Sequence, residues 1–281
     1  MFGMALRPLA FLAALLVPVL PATAAEGSRS LTSVSYATKV AGLTIMLTDA
    51  DVDMDARGYR VDIATRASGA YGLLFRGETR TLAQGLWAGP LAAPQRYAVD
   101  GTWRGSPRRT LMDYEMGQPT VLRLDPPNDA EREPVPPQLQ RETIDTISAA
   151  ALLARRATTT GRCDGEVRTF DARRLFEVSS STGGWETFPP GEVPASGPLL
   201  RCDFEGRMLA GFLHDGDRDP RPQKGTAWLT RLSPEAPMLP VHMRFDIRWL
   251  GSATMTLTGV RHDGAPLVRE RADAGLAPPR R

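Results

Sequence analysis

The sequence predicts a mainly β protein: one large curved antiparallel sheet or partly open β-barrel (a half-barrel), with a single helix packed on it near residues 143–157. Three observations carry this. Apolar and polar residues alternate along most of the chain, turn residues interrupt the alternation at short intervals, and one segment alone shows helical spacing.

The first residues form an export pattern. "MFGMALRPLAFLAALLVPVLPATAAEG" has one early charge, Arg7, an apolar run from Leu9 to Leu20, and small residues at Ala22, Thr23 and Ala24. That order predicts a signal peptide over residues 1–24, cleaved after Ala24, and a periplasmic mature protein. Pro18 and Pro21 interrupt the run, which is too short to span a bilayer as a stable helix. No later stretch approaches the required length, so no membrane span is expected in the mature chain. No cofactor is expected either.

The remainder, residues 25–262, reads as one β-rich domain able to bury a sizeable core. Its two halves are separated by a Pro-rich loop over 126–140, and a flexible tail is expected over 263–281. Hydrophobic residues make up 42% of the sequence, which excludes wholesale disorder. The 34 basic residues nearly balance the 32 acidic ones, and almost all are arginine, Lys39 and Lys224 being the only lysines. No basic stripe with interleaved aromatics appears, so nucleic acid is not an expected partner.

Strands follow in order. "LTSVSYATKV" and "LTIMLTD" come first, and then "GYRVDIATR" sets Tyr59, Val61 and Ile63 on one face against Arg60 and Asp62 on the other. "ETRTLAQGLW", "RYAVDGTW", "RTLMDY" and "TVLRL" repeat the pattern more weakly. After the Pro-rich loop, "RETIDTISAAALLARRA", Arg141 to Ala157, places Ile144, Ile147, Ala151 and Leu152 at helical spacing, with Thr146 or Asp145 as its cap. "EVRTFD", "RRLFEV", "LLRCDFEG" and "GTAWLTRL" return to strand. "VHMRFDIRW" alternates most cleanly, through Val241, Met243, Phe245, Ile247 and Trp249, and "ATMTLTGV" follows through Ala253, Met255 and Leu257.

Cys163 and Cys202 are the only cysteines. In an oxidising compartment they most simply pair with each other as a structural disulfide. A zinc site would need more clustered ligands than the scattered His214, His242 and His262 provide, and a redox couple usually has the closer C-x-x-C spacing. Closing a loop of about 40 residues stabilises by about 4 kcal/mol, less any strain.

Several segments in order, "ISAAALLARR", "CDGEVRTFDARRLFEV", "LLRCDFEGRMLAGF" and "PVHMRFDIRWLGSATMTLTG", resemble the exported bacterial family called domain of unknown function 3108. Shared are a helix rich in small residues, Cys-x-Gly with a Phe-Asp-x-Arg-Arg strand pair, a second Cys before Gly-Phe, and a late Pro-Val hairpin. "GYRVDIATRASGAYGLLFRGETRTLAQG" and "PQRYAVDGTW" fit more loosely, so the resemblance runs from Leu31 to Val260. Ala172 stands where the family more often has Gly. The resemblance implies a periplasmic, β-rich protein with no established activity. Curved half-barrels that carry lipoproteins are analogous in architecture only.

Candidate chemistry is sparse. Asp49, Asp51, Asp53 and Asp55 share one face of a strand, and four carboxylates could hold Ca²⁺. The calcium-loop pattern fails, because Met54 stands where Gly is needed, so a solvated edge or hairpin end turning at Arg57-Gly58 is the simpler expectation. Asp164 and Asp203 would lie near the disulfide, where Arg162, Arg201, Arg173 and Arg174 are expected to pair with them. No nucleophile elbow, zincin motif or phosphate loop occurs, and no enzyme is expected. The expected function is binding of an apolar ligand, lipid or envelope protein segment in a concavity lined by Met243, Phe245, Ile247, Trp249, Met255 and Leu257. The alternative is a hydrolase acting on envelope or carbohydrate material.

Overall fold

The computed structural model describes residues 31–69, 72, 77–103, 105–215, 221–247 and 251–268. The expected signal peptide, Trp249 and the chain beyond residue 268 lie outside the described residues. Seven strands precede the Pro-rich segment: β1 (Leu31–Val40), β2 (Leu43–Met54), β3 (Gly58–Ala67), β4 (Gly77–Ala88), β5 (Leu91–Trp103), β6 (Ser106–Glu115) and β7 (Gln118–Asp125). A one-turn helix α1 (Pro137–Gln140) and a fifteen-residue helix α2 (Thr146–Thr160) follow. Then come β8 (Gly165–Phe170), β9 (Leu175–Glu186), β10 (Leu199–Ala210), β11 (Gln223–Arg231), β12 (Met238–Ile247), β13 (Gly251–His262) and β14 (Ala265–Val268).

All fourteen strands form one antiparallel sheet, ordered β7-β6-β5-β4-β3-β2-β1-β13-β12-β11-β10-β9-β8, with β14 added on β13. Each half is a run of neighbouring hairpins, and the halves join where β1 pairs with β13. The expected curved, open antiparallel sheet is therefore the observed one. A sheet this wide curls rather than staying flat. Here Ala83, Tyr97 and Met112 of β4–β6 share a buried cluster with Phe170, Leu175 and Ala210 of β8–β10.

Helix α2 lies inside this curl. It contacts β3, β4 and β5 from one half and β8 and β12 from the other. Ala151 and Ala154 join a central cluster with Val34, Val52, Val61 and Leu257, while Ala157 joins Leu200, Ala227 and the disulfide. The expected cap at Asp145 is the observed one, and residues 142–145 before it are not helical. Ile144 instead donates its N–H to Arg168 and accepts from Phe170, a parallel bridge that covers the edge of β8. Asp145 then caps the helix, accepting from Ser148 N at 2.8 Å, and Gly161 ends it with φ 66°.

Local details depart from the sequence reading for physical reasons. The Asp-bearing strand β2 is not an edge, because it lies between β1 and β3. Strict alternation in β12 fails near Val241. The β11–β12 register shifts between Trp228 and Leu229, so Val241 enters the central cluster while Met243 packs against the disulfide cluster. A bulge of this kind breaks the period of two. The expected loose tail starts as a strand. Asp263 and Gly264 both have positive φ, forming the tight turn that "DG" favours, and Asp263 exchanges hydrogen bonds with Leu31.

Cys163 and Cys202 are joined, with Cα atoms 5.7 Å apart and both side chains fully buried. Replacing both by Ser is expected to lower the unfolding free energy by about 3–4 kcal/mol, measured by denaturant titration. Leu257→Ala is expected to cost about 2–5 kcal/mol in the same assay. A cost near zero would mean that Leu257 does not fill the core.

Candidate binding groove

The polar face of the sheet is built by the same alternation that builds the core. Val34, Ala50 and Ile63 belong to or pack on the central cluster, so Ser33, Ser35, Asp49, Asp51 and Asp62 point to the opposite face. There they wall a groove of about 960 Å³ that crosses β1–β5 and is completed by Arg261 and Pro266. Its carboxylates are engaged. Ser35 Oγ donates to Asp49 and Ser33 Oγ to Asp51, both at 2.6 Å, while Arg60 pairs with Asp62 at 2.8 Å and Arg109 with Asp100 at 3.1 Å. Arg66 also reaches Asp49 at 3.4 Å. Arg80 and Arg261 line the groove without an ion-pair partner among the described residues.

A second groove of about 490 Å³ crosses β9–β12. Cys202 and Phe204 pack inward, so Asp203 and Glu205 point outward beside Arg244. Gly225 makes room for the ring of Phe204, whose Cζ a Cβ at residue 225 would strike.

Of the residues expected to line an apolar concavity, Leu257 is buried in the central cluster and Met255 packs against it. Met243 packs against the disulfide cluster, Phe245 borders the second groove, and Ile247 is half-buried at the end of β12. Asp49 and Asp51 line the larger groove, whereas Asp55 accepts from Arg57 N and Gly58 N and so shapes the β2–β3 turn. Among the described residues no group of three or more His, Cys, Asp or Glu is placed to hold a metal ion. Arg162 pairs with Asp164 and Arg201 with Asp203 as expected. Arg173 and Arg174 do not join them, because their hairpin turn carries them to Glu131 and Asp171. Sequence reading missed Ser33, Ser35, Arg80 and Arg261; the signal was the polar half of each alternating strand.

One carboxyl is chemically distinct. Asp145 is fully buried, and desolvation pushes it up to about 6 despite hydrogen bonds from Ser148 N and, at 2.5 Å, Ser148 Oγ. Tyr59 donates to Ser148 Oγ at 2.6 Å, so a chain of hydrogen bonds joins β3 to the helix cap. Burial also pushes the hydroxyls of Tyr59, Tyr97 and Tyr114 upward. None of these residues borders either groove.

An open antiparallel sheet curled round one helix defines a β-barrel-like protein. The family model described as "Protein of unknown function (DUF3108)" matches residues 32–258, and the chain belongs to this family. Among solved structures it is similar to a β-barrel-like protein of domain of unknown function DUF1849 from Brucella abortus. That match has 14% identity and a TM-score of 0.54, and covers 83% of this chain and 97% of the other, so the likeness is one of fold. No curated protein matches the sequence. No helix among the described residues is long and apolar enough to cross a membrane.

Asp145 gives a pH signature. Its folded value of about 6 lies above the ordinary 3.8, so its contribution to stability is complete below about pH 4 and is lost as pH rises through about 6. The loss is on the order of 2–3 kcal/mol. Asp145→Asn, which can still cap the helix, is expected to flatten the profile of unfolding free energy between pH 4 and 7. An unchanged profile in that variant would assign the dependence to another group.

Proposed function

We propose that the protein is an exported, non-enzymatic component of the cell envelope that binds an extended protein segment in the groove across β1–β5. The observation that carries this reading is the separation of chemistry from access. Asp145, the carboxyl raised to about 6, is sealed in the core, while the open groove is walled by carboxylates that hydroxyls and guanidiniums already hold. A catalytic acid or base needs a tuned group and an open cleft in one place. The leader pattern and the disulfide support an exported, periplasmic location.

The charges left over in the groove describe its occupant. Among the described residues Arg80 and Arg261 offer guanidiniums outside any ion pair, and Asp51 is held by Ser33 without a cation. A segment bearing both acidic and basic side chains complements that surface. A lipid chain does not, because the large apolar rows are spent on packing with α2. This reading keeps the protein segment among the expected ligands and sets aside the lipid and the hydrolase.

Protein purified from the periplasm is expected to carry peptide adducts in native mass spectrometry. Arg80→Glu combined with Arg261→Glu should remove them while leaving the melting temperature essentially unchanged. A lipid adduct that survives this double substitution would overturn the groove assignment. Turnover of an envelope polymer by the pure protein would overturn the non-enzymatic reading.

A further inference from the structure

The two ends of the sheet meet at a seam rich in arginine. Residues 131–133 pair with residues 212–214 just beyond β10, through Glu133 N to Phe212 O at 2.8 Å and His214 N to Glu131 O at 3.2 Å. Four guanidiniums converge there, from Arg108 on β6, Arg132 in the crossing segment, and Arg173 and Arg174 in the β8–β9 turn. Two carboxylates, Glu131 and Asp171, face them.

Both carboxylates are already committed. Arg108 grips Glu131 through two hydrogen bonds of 2.7 Å. Arg174 grips Asp171 Oδ2 at 2.9 and 2.7 Å, and Asp171 Oδ1 accepts from Arg173 N and Arg174 N. The remaining two guanidiniums donate to main-chain carbonyls instead, Arg132 to Gly211 at 2.8 Å and Arg173 to Pro126 at 2.9 Å. Among the described residues Arg173 Nη1 is buried with no hydrogen-bond partner, and Glu131 Oε2 forms only a long ion pair with it at 4.0 Å, beyond hydrogen-bonding reach. The side chain of Arg173 is only 13% exposed.

Enclosing a guanidinium whose nearest carboxylate is already gripped by another arginine is costly, and leaving one of its N–H groups unsatisfied adds to that cost. Both groups register the strain. Arg132 and Arg173 are held below the ordinary arginine value, first by desolvation and then by neighbouring guanidiniums, Arg174 and Arg108 respectively. Among these six side chains four guanidiniums face two carboxylates, and Arg173 Nη1 is an unused donor among the described residues. Arginine forks match the oxygens of phosphate bidentately, and a phosphate group carries nearly two negative charges near neutral pH.

We propose that this arginine seam is a phosphate-binding site, taking either free phosphate or the phosphate head of a larger molecule between Arg132 and Arg173. The site is separate from the groove across β1–β5. It engages residues from both ends of the sheet, so occupancy ties the end at β6 to the β8–β9 turn. The Arg173-Arg174 pair of the Phe-Asp-x-Arg-Arg motif thereby gains a ligand role beyond the hairpin it shapes.

Isothermal titration calorimetry on the full exported chain tests this, with inorganic phosphate at constant ionic strength against a chloride blank. Dihexanoyl phosphatidic acid and dihexanoyl phosphatidylcholine form the second arm. Saturable phosphate binding is expected, weakened about ten-fold or more in Arg173→Gln and in Arg132→Gln. Arg123→Gln, on the exposed face of β7, should bind as the parent does. Tight binding of the phosphatidic acid with weak binding of free phosphate, lost in the same variants, would identify a headgroup as the source. Comparable binding of both would identify free phosphate.

Circular dichroism melts with and without phosphate verify that the variants fold. Should Arg173→Gln fail to fold, Arg132→Gln and Arg173→Lys provide the reading. A purely structural seam would make the variants less stable by the same amount with and without phosphate. That result overturns the proposal, as does a titration indistinguishable from chloride or one unchanged in the folded arginine variants.

Discussion

One helix must touch five strands of the same sheet at once, and this constraint shapes the rest of the molecule. Only small side chains allow so close an approach, and the buried face of α2 provides Ser148, Ala151, Ala154 and Ala157, with Leu152 as the larger exception. The sheet contributes the bulk from its inward rows, such as Val52, Val61, Leu199 and Leu257. Filling the curl in this way turns a concavity into a core. The inward apolar rows are thus the reason the sheet stays curled, and the polar rows alone are left to meet other molecules.

The helix is positioned as well as packed. Ile144 adds a strand-like bridge to the edge of β8, and the next residue, Asp145, caps α2 while linked through Ser148 to Tyr59 on β3. Three consecutive roles within five residues set the helix against both halves of the sheet. A buried carboxyl is a costly way to do this, and its raised value reflects that cost. The disulfide works at the other end of the helix, where Cys163 and Cys202 pack with Ala157.

Much of this was legible in the sequence. Tyr59, Val61 and Leu257 announced their burial through period-two spacing, and Asp145 was one of the two caps expected for the helix. The two lone cysteines announced their pairing. Other features depend on tertiary choices that local pattern does not encode. Nothing in "VHMRFDIRW" marks Val241 as the residue displaced by a bulge, because the shift is set by its pairing with Trp228 and Leu229. Whether inward residues surround a cavity or a helix depends on where α2 docks, and its Ala-rich face fits either outcome. The polar groove was hidden for a related reason. Ser33, Asp51, Arg80 and Arg261 are scattered over more than two hundred positions and become neighbours only through the strand order.

The junction of β1 with β13 has a consequence for how the chain reaches this state. Thr32 lies opposite His262 and Val40 opposite Ala253, so the first strand finds its second neighbour only near the end of the chain. A polypeptide that emerges amino terminus first must hold one side of β1 open until almost everything else has appeared. Contacts so distant in sequence slow folding, and an unsatisfied strand edge is the feature through which extended chains associate wrongly. The early half can complete its row of hairpins from β1 to β7, but its central seam waits. That interval is when a chaperone able to shield a bare strand edge would matter most.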